Sequence, residues 1–361
     1  MHDYLNEFGG AERVLLALSE IWPKAPIYTA FYKPGSRAWQ RFKDKDIRVS
    51  WVHNLPGFSS KLYSPLRFLA PSIWNSLDLS GFDVVIGSAS WYVTKGFKKK
   101  GKAKEICYCH TPPRWLYGYP TSIEWQKYWP VKVYGQVVGH WMRQYDYEAA
   151  QRVDWFITNS QNTRRRIKKF YRREAEVIYP PVELSKMSKV RKEDYYLVAS
   201  RIVGGKGLEL AVKTAGKLGL RLKVVGESAG WGREYDKLVK MAGKKIEFVG
   251  AVDDKELGRL YGGAKAFLAL ARDEDFGMTP VEAMLMGTSV VAFKGGGYLE
   301  SVVEGKTGVF FESQTVESLG KAIKRLRKMG IKSEDCVKQA KKFSKERFKR
   351  EMKRFVLQKV K

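Results

Sequence analysis

The stretch Glu274-Asp-Phe-Gly-Met-Thr-Pro-Val-Glu282, followed by Met284 and Gly287, decides the fold. Its two glutamates stand eight residues apart, the first at the mouth of a loop and the second on the helix that follows. The Phe-Gly-Met-Thr-Pro turn between them opens a helix, and the first N–H groups of a helix have no partner inside it and favour an anion. Apolar runs flank the unit, Ala266 to Ala271 before it and Ser289 to Phe293 after it. The order is therefore strand, ligand loop, helix, strand. Amides for phosphate and carboxylates for hydroxyls suit a nucleotide-activated sugar.

Outward from this unit the same alternation recurs. Strands are expected at Asp83–Gly87, Glu105–Cys109, Asp154–Asn159 and Glu176–Val182, then at Tyr195–Ser200, Leu222–Gly226 and Ile246–Gly250. Apolar strands separated by amphipathic helices imply parallel sheets covered on both faces. The chain of 361 residues suits two domains rather than one core. Pro180-Pro181 cannot sit in a central strand and closes the first. The expectation is α/β: a domain over 1–180, a second over 181–340 and a basic helix over 341–361 that crosses back to the first, with a ligand cleft at the carboxyl ends of the strands. Two segments interrupt the pattern. Residues 51–79 carry Trp51, Phe58, Tyr63, Phe68 and Trp74, and residues 115–145 carry Trp115, Tyr117, Tyr119, Trp125, Tyr128, Trp129, Tyr134 and Trp141. These aromatics read as core or acceptor-pocket walls, with a membrane-interface surface as the other reading.

The net charge is +28. Residues 1–180 carry 28 basic and 15 acidic side chains, residues 181–320 carry 21 and 19, and residues 321–361 carry 17 and 4. Such runs are either solvated faces, a lysine- and glutamate-rich surface of thermophile type, or sites of attraction to an anionic membrane or nucleic acid. Cys107, Cys109 and Cys336 are too few for a disulfide framework, and Cys107 and Cys109 read as core. No apolar run is long enough to span a membrane, and no signal-peptide pattern opens the chain, so a cytoplasmic location is expected.

Five segments in order, His2-Asp-Tyr-Leu with Gly9-Gly10-Ala-Glu12, His110-Thr-Pro-Pro-Arg114, Ile178-Tyr-Pro-Pro-Val182, Ser200-Arg201 with Lys206-Gly207, and the Glu274/Glu282 unit, resemble a retaining glycosyltransferase of family 4 with the GT-B fold. The likeness is greatest to the mannosyltransferase branch of polysaccharide and glycolipid assembly. From the residues themselves, Gly9-Gly10 before a helix allow close approach to a diphosphate, and Arg201 and Lys206 at a strand's carboxyl end suit a leaving group whose charge grows. The resemblance implies a catalytic set of His110, Arg201, Lys206 and Glu274, with His110 beside the anomeric centre and Glu274 on the hexose. It implies donor contacts from Gly9, Gly10, Gly226, Phe276, Gly277, Met278, Thr279 and Glu282, the last on the ribose hydroxyls, and places Glu12 and Arg114 near the acceptor. No metal and no cofactor are expected: Asp273-Glu274-Asp275 mimics a metal motif, but in the resembled fold the two cations and the helix end replace the ion. No enzymic nucleophile stands out. The resemblance suggests same-face attack, the leaving phosphate taking the acceptor's proton.

Three features depart from that pattern. Only Met1 precedes His2 where relatives carry an apolar first strand, so either the start is misassigned or the strand is nearly absent. Gly226-Glu227-Ser228 replaces the usual Gly-x-Gly. Gly295-Gly296-Gly297 marks either a moving segment or a tight turn. The expected function is hexose transfer, with GDP-mannose as donor before UDP-glucose, to a lipid-linked or saccharide acceptor by a protein peripheral on the inner face of the cell membrane. Both flanking positive segments are expected on the acceptor side and the near-neutral middle on the nucleotide. The rivals are a non-catalytic basic protein binding nucleic acid or membrane, for which Arg164-Arg-Arg-Ile-Lys-Lys-Phe-Tyr-Arg-Arg173 is the best support, and a sugar phosphorylase, which needs a pyridoxal phosphate lysine. No nucleic-acid motif is present, and no nucleic-acid partner is expected.

Overall fold

Short runs of β-branched and aromatic residues, buried on both faces, form parallel strands throughout this chain. The computed structural model describes residues 1–98, 102–119, 129–183, 190–227 and 233–360. Trp125, Tyr128 and Ser228 lie outside these described residues. The chain forms two compact units. Of the described residues the first unit takes those up to 119, then 129–181 and 345–360, and the second takes the rest from 182 to 344. The chain rejoins the first unit at Lys345 rather than at 341, because Phe343 belongs to the second unit, its ring 5.3 Å from that of Phe276.

In the first unit β1 (Ile27–Thr29) pairs with β2 (Ile47–Val49), and β3 (Val84–Ala89), β4 (Lys104–Cys109), β5 (Trp155–Thr158) and β6 (Ala175–Val177) form a parallel row in that order. The first residues fill the slot between the two sets. His2 bridges Thr29 on one side and Ser88 on the other, its N–H donates to the Tyr28 carbonyl at 2.9 Å, and the Ser88 N–H donates to the Met1 carbonyl at 2.9 Å. Met1 and Leu5 are buried there. The loop after β3 is tied down by Asp3, whose Oδ2 accepts from the Ser90 N–H at 3.1 Å and the Tyr92 N–H at 3.2 Å, and whose Oδ1 accepts from the Thr94 hydroxyl. Behind it lies a buried ion pair, Lys95 with Asp146, and the Tyr117 hydroxyl also donates to Asp146 at 2.7 Å.

Most of the irregular aromatics are core: Phe58 and Trp74 are fully buried, and Tyr63, Phe68, Trp115 and Tyr117 pack against them or their neighbours. The helix Trp129–Arg152 is different on its outer face, where Trp129, Val133, Val137 and Trp141 recur every four residues and are exposed. Two cations of the arginine-rich run serve the fold, while Arg164, Arg165, Lys168, Lys169 and Arg172 are exposed. Arg166 is buried and donates to the Thr111 hydroxyl at 3.0 Å, while Arg173 donates to the carbonyls of Ala150, Gln151, Val153 and Asp154. The final helix, Lys345–Val360, buries Phe348, Met352, Phe355 and Val356 against Val14, Leu18 and Tyr108.

The second unit has one parallel sheet, built from β7 (Tyr196–Ala199), β8 (Leu222–Val225), β9 (Ile246–Gly250), β10 (Ala266–Ala269), β11 (Val290–Phe293) and β12 (Gly308–Phe311) in the order β12-β11-β10-β7-β8-β9. Chain order reverses between β7 and β10, which makes the gap between them the topological switch point. Strands β1, β2 and β12 were not foreseen; at three or four residues they are too short to carry a period.

The charge divides otherwise than expected. Residues 345–361 carry eight basic and two acidic side chains, while residues 321–344, in the second unit, carry nine and two. The unit holding Glu274 and Glu282 is therefore itself clearly positive, because the helix Val316–Lys328 brings Lys321, Lys324, Arg325, Arg327 and Lys328 into it. Among the described residues no helix is long and apolar enough to cross a membrane.

Candidate active site

Loops leaving β7 and β10 flank the switch point. The first runs from Ser200 to Gly207, where Gly205 and Gly207 adopt φ of 81° and 74° and set Lys206 between them. A Cβ on Gly207 would stand 2.6 Å from that of Leu270, so the helix Leu208–Leu218 can begin this close to β10 only with glycine there. Lys206 Nζ then donates to Glu274 Oε2 at 2.7 Å, with the two side chains 29% and 19% exposed. Arg201 is exposed on the same loop. Gly226, at the end of β8, has φ of 138°, and a Cβ there would fall 1.9 Å from the Ser200 carbonyl oxygen. Its role is to let β8 pass beside the Ser200–Arg201 turn.

After β10, Gly277 at φ 84° caps the helix Met278–Leu285, and Tyr298 closes against it. Met278 and Thr279 supply the first helical amides, while Pro280 has none to offer. Phe276 is buried with its ring against Phe343, so its contribution to a ligand is its backbone. Gly295-Gly296-Gly297 is a close-approach device: a Cβ on Gly296 would lie 2.4 Å from the Glu274 carbonyl oxygen, one on Gly297 would lie 2.3 Å from Phe276 Cα, and the Gly297 N–H donates to the Glu274 carbonyl at 2.9 Å. Burial first, and then the Glu274 charge, push the Tyr298 hydroxyl well above its ordinary range, so it stays neutral. Glu282 is 3% exposed and accepts from the Tyr261 hydroxyl at 2.8 Å, a partner the sequence reading did not include. Among the described residues no group of three or more metal-ligating side chains is disposed to hold an ion.

The first unit contributes its own set. His110 follows β4, where its N–H donates to the Ala89 carbonyl at 2.9 Å and its carbonyl accepts from Asn159 Nδ2 at 2.8 Å. Arg114 is half-buried in the turn that follows. Gly9 has an ordinary extended φ of −126° and caps the helix Gly10–Ile21, and its N–H donates to Glu12 Oε2 at 2.8 Å. Glu12 thus braces the glycine pair from inside its own first turn. Burial opposes its charge, but hydrogen bonds from His2 and Gly9 outweigh that and hold its carboxyl below the usual range.

Two parallel α/β units, one with cation, carboxylate and helix end gathered at a switch point, define a GT-B glycosyltransferase. The family model described as Glycosyltransferase Family 4 matches residues 8–186, and that described as Glycosyl transferases group 1 matches residues 183–343. The chain belongs to this family. It is 26% identical to the alpha-1,3/1,6-mannosyltransferase ALG2 of Mus musculus, over 85% of this chain and 82% of that one. Among solved structures it is similar to a sucrose-phosphate synthase of Thermosynechococcus elongatus, with TM-score 0.71, 16% identity and 99% and 95% of the two chains covered. It is also similar to HepE of Anabaena in complex with UDP-glucose, with TM-score 0.69, 15% identity and 99% of each chain covered.

Proposed function

We propose that this glycosyltransferase moves a hexose, mannose from GDP-mannose in first place, to a lipid-linked or polysaccharide acceptor, with retention and without a metal. The observation that carries the reading is the Lys206–Glu274 pair, set on loops either side of the switch point. A sugar diphosphate has what both partners need: phosphate for Lys206 and hydroxyls for Glu274. Arg201 joins Lys206 on the diphosphate, and their charge counts most as the glycosidic bond breaks and the phosphate oxygen becomes more negative. The Met278 and Thr279 amides and the dipole of their helix act in the same sense. Glu282 takes the ribose hydroxyls; His110 is assigned to the sugar and the Gly9-Gly10 turn to the diphosphate. The acceptor hydroxyl attacks from the face the phosphate leaves, and a departing phosphate oxygen takes its proton.

Mannose is preferred because ALG2 is a mannosyltransferase. UDP-glucose remains the second donor because HepE binds it on the same fold. The site of action is the cytoplasmic face of an anionic membrane, to which the protein attaches peripherally. Support comes from the exposed Trp129, Val133, Val137 and Trp141 stripe with Lys132, His140 and Arg143 exposed along the same helix, since Trp and basic side chains favour an anionic interface. A thermal-shift and turnover panel of GDP-mannose, UDP-glucose, GDP and UDP tests the donor. A nucleotide at 100 times its Kd stabilises the protein by about 2.7 kcal/mol. No shift with either nucleotide ends the proposal, as does sedimentation with anionic vesicles no greater than with neutral ones at low salt for its membrane part.

A further inference from the structure

The site at the switch point leaves much of the second unit's positive charge unused, and part of that charge gathers at the other end of the same sheet. Because the strands run parallel, β7 to β11 all begin along one edge, while the loops with Lys206 and Glu274 leave from the opposite one. Arg221, Lys245 and Lys265 stand immediately before β8, β9 and β10. The backbone stitches these starts together. The Tyr196 N–H donates to the Arg221 carbonyl at 2.9 Å, the Leu222 N–H to the Lys245 carbonyl at 3.0 Å, and the Lys265 N–H to the Tyr195 carbonyl at 2.8 Å. Arg327 reaches the same edge from the end of the helix Val316–Lys328. These four cations line a cavity of about 690 Å³ in which, among the described residues, Asp194 is the only carboxylate. Leu218, Leu326 and Ile331 give it an apolar wall.

The pairing inside the cavity leaves donors over. Asp194 accepts from Lys265, and its carboxyl is held below the usual range by Lys265 first and by Arg221 and Arg327 after it. One carboxylate cannot neutralise four cations. Arg327 Nε donates to the Tyr196 hydroxyl at 2.7 Å, and its terminal nitrogens donate to none of the described residues. Tyr196 is 2% exposed, and its hydroxyl, having accepted from Arg327, still has a proton to give, with no acceptor for it among the described residues. The Arg221 side chain makes no hydrogen bond to the described residues, and that of Lys245 makes one, to the Gly219 carbonyl at 3.2 Å. A solvated basic face needs neither a hollow nor a buried hydroxyl. Donors converging on a hollow fit a ligand that only accepts.

We propose that this cavity binds a phosphate-bearing ligand, with the phosphate oxygens on Arg221, Arg327 and the Tyr196 hydroxyl and the carbon portion on Leu218, Leu326 and Ile331. The volume lies within the range of small-molecule sites, about 300–1,000 Å³. A phosphate offers acceptors alone, and its hydrogen bonds to guanidinium are the strong, charge-assisted kind. The source of the phosphate is a free organic phosphate or a lipid headgroup. This site does not depend on the transferase reading.

The test is calorimetric titration of the full chain with inorganic pyrophosphate at low salt, where exposed charges are least screened. Arg221→Ala with Arg327→Ala is expected to weaken binding at least about tenfold. Lys321→Ala with Lys324→Ala removes the same charge from exposed positions outside the cavity and should change binding less than about twofold. Equal losses in the two variants would reduce the feature to a diffuse positive surface and overturn the proposal, as would no measurable binding by the unaltered protein. Tyr196→Phe keeps the ring and its packing, so it covers a folding defect of the double variant. It should weaken pyrophosphate about threefold or more, and unchanged affinity overturns the proposal. The losses should be the same in a Lys206→Ala background, and their disappearance there would assign the binding to the switch point instead. Sedimentation with vesicles of phosphatidylcholine and phosphatidic acid assigns the source. A loss in R221A/R327A as large as with pyrophosphate makes the ligand a lipid headgroup, and unchanged sedimentation makes it a free phosphate.

Discussion

The two units hold their candidate site residues by opposite means. In the second, glycines do it: Gly207, Gly226, Gly296 and Gly297 each bring backbone to where a Cβ would collide with backbone or a neighbouring Cβ, and the charged groups so placed stay part-exposed. In the first, buried polar side chains do it: Asp3 gathers the loop after β3, Lys95 and Asp146 lie behind it, and His110 hangs on Ser88. Glycine shaping fixes where the chain goes and leaves side chains free to trade partners. Polar bracing fixes the side chains themselves and makes each dependent on the next.

The largest test strikes the bracing. Lys95→Met leaves Asp146 buried without its cation and is expected to cost about 3–5 kcal/mol in urea unfolding; a loss under 1 kcal/mol would remove the contrast. On the other side, Lys206→Ala should lower turnover by about 10²–10³-fold. Its stability should change by less than about 1 kcal/mol because the pair is part-exposed. A comparable loss of folding stability would mean that this pair, too, is scaffold. Gly226→Ala should cost about 2–3 kcal/mol and weaken donor binding, since a left-handed φ and a backbone collision are both forced on it. Calorimetric titration with GDP and UDP reads the second effect, and intact affinity would show that this glycine serves the fold alone. Tyr261→Phe removes one donor to Glu282 and should cost about 1–2 kcal/mol. The smallest effect is acidic. Glu12 has a depressed folded pKa, so its stabilisation is complete above the ordinary glutamate value of about 4.3 and fades as pH falls through the folded value. The stability gap between the unaltered protein and E12Q should close below about pH 4, and a gap that widens there contradicts that sign.

The same contrast explains what could be read from the sequence. Glu274, the turn, Glu282 and their flanking strands are neighbours along the chain, so their spacing shows the unit directly. Gly226 was legible as a close-approach glycine, although what it approaches, Ser200, was not. Gly295–Gly297 suggested motion or a tight turn, and the structure makes it a turn packed against Glu274 and Phe276. The polar bracing left almost no local trace. His2 and Ser88 meet across 86 positions, Lys95 and Asp146 across 51, and Tyr261 and Glu282 across 21. The slot filled by Met1 to Asp3 was legible only as a nearly absent or misassigned first strand, because three residues set no period.

The Lys206–Glu274 contact has a bearing on selectivity. The lysine already has a counter-ion, so a bare phosphate that draws it away breaks the pair and offers Glu274 nothing in exchange. Only a molecule that brings an anion and a hydroxyl together compensates both partners at once. On the proposed function, this pair discounts bare inorganic anions and favours phosphates that arrive with a sugar attached.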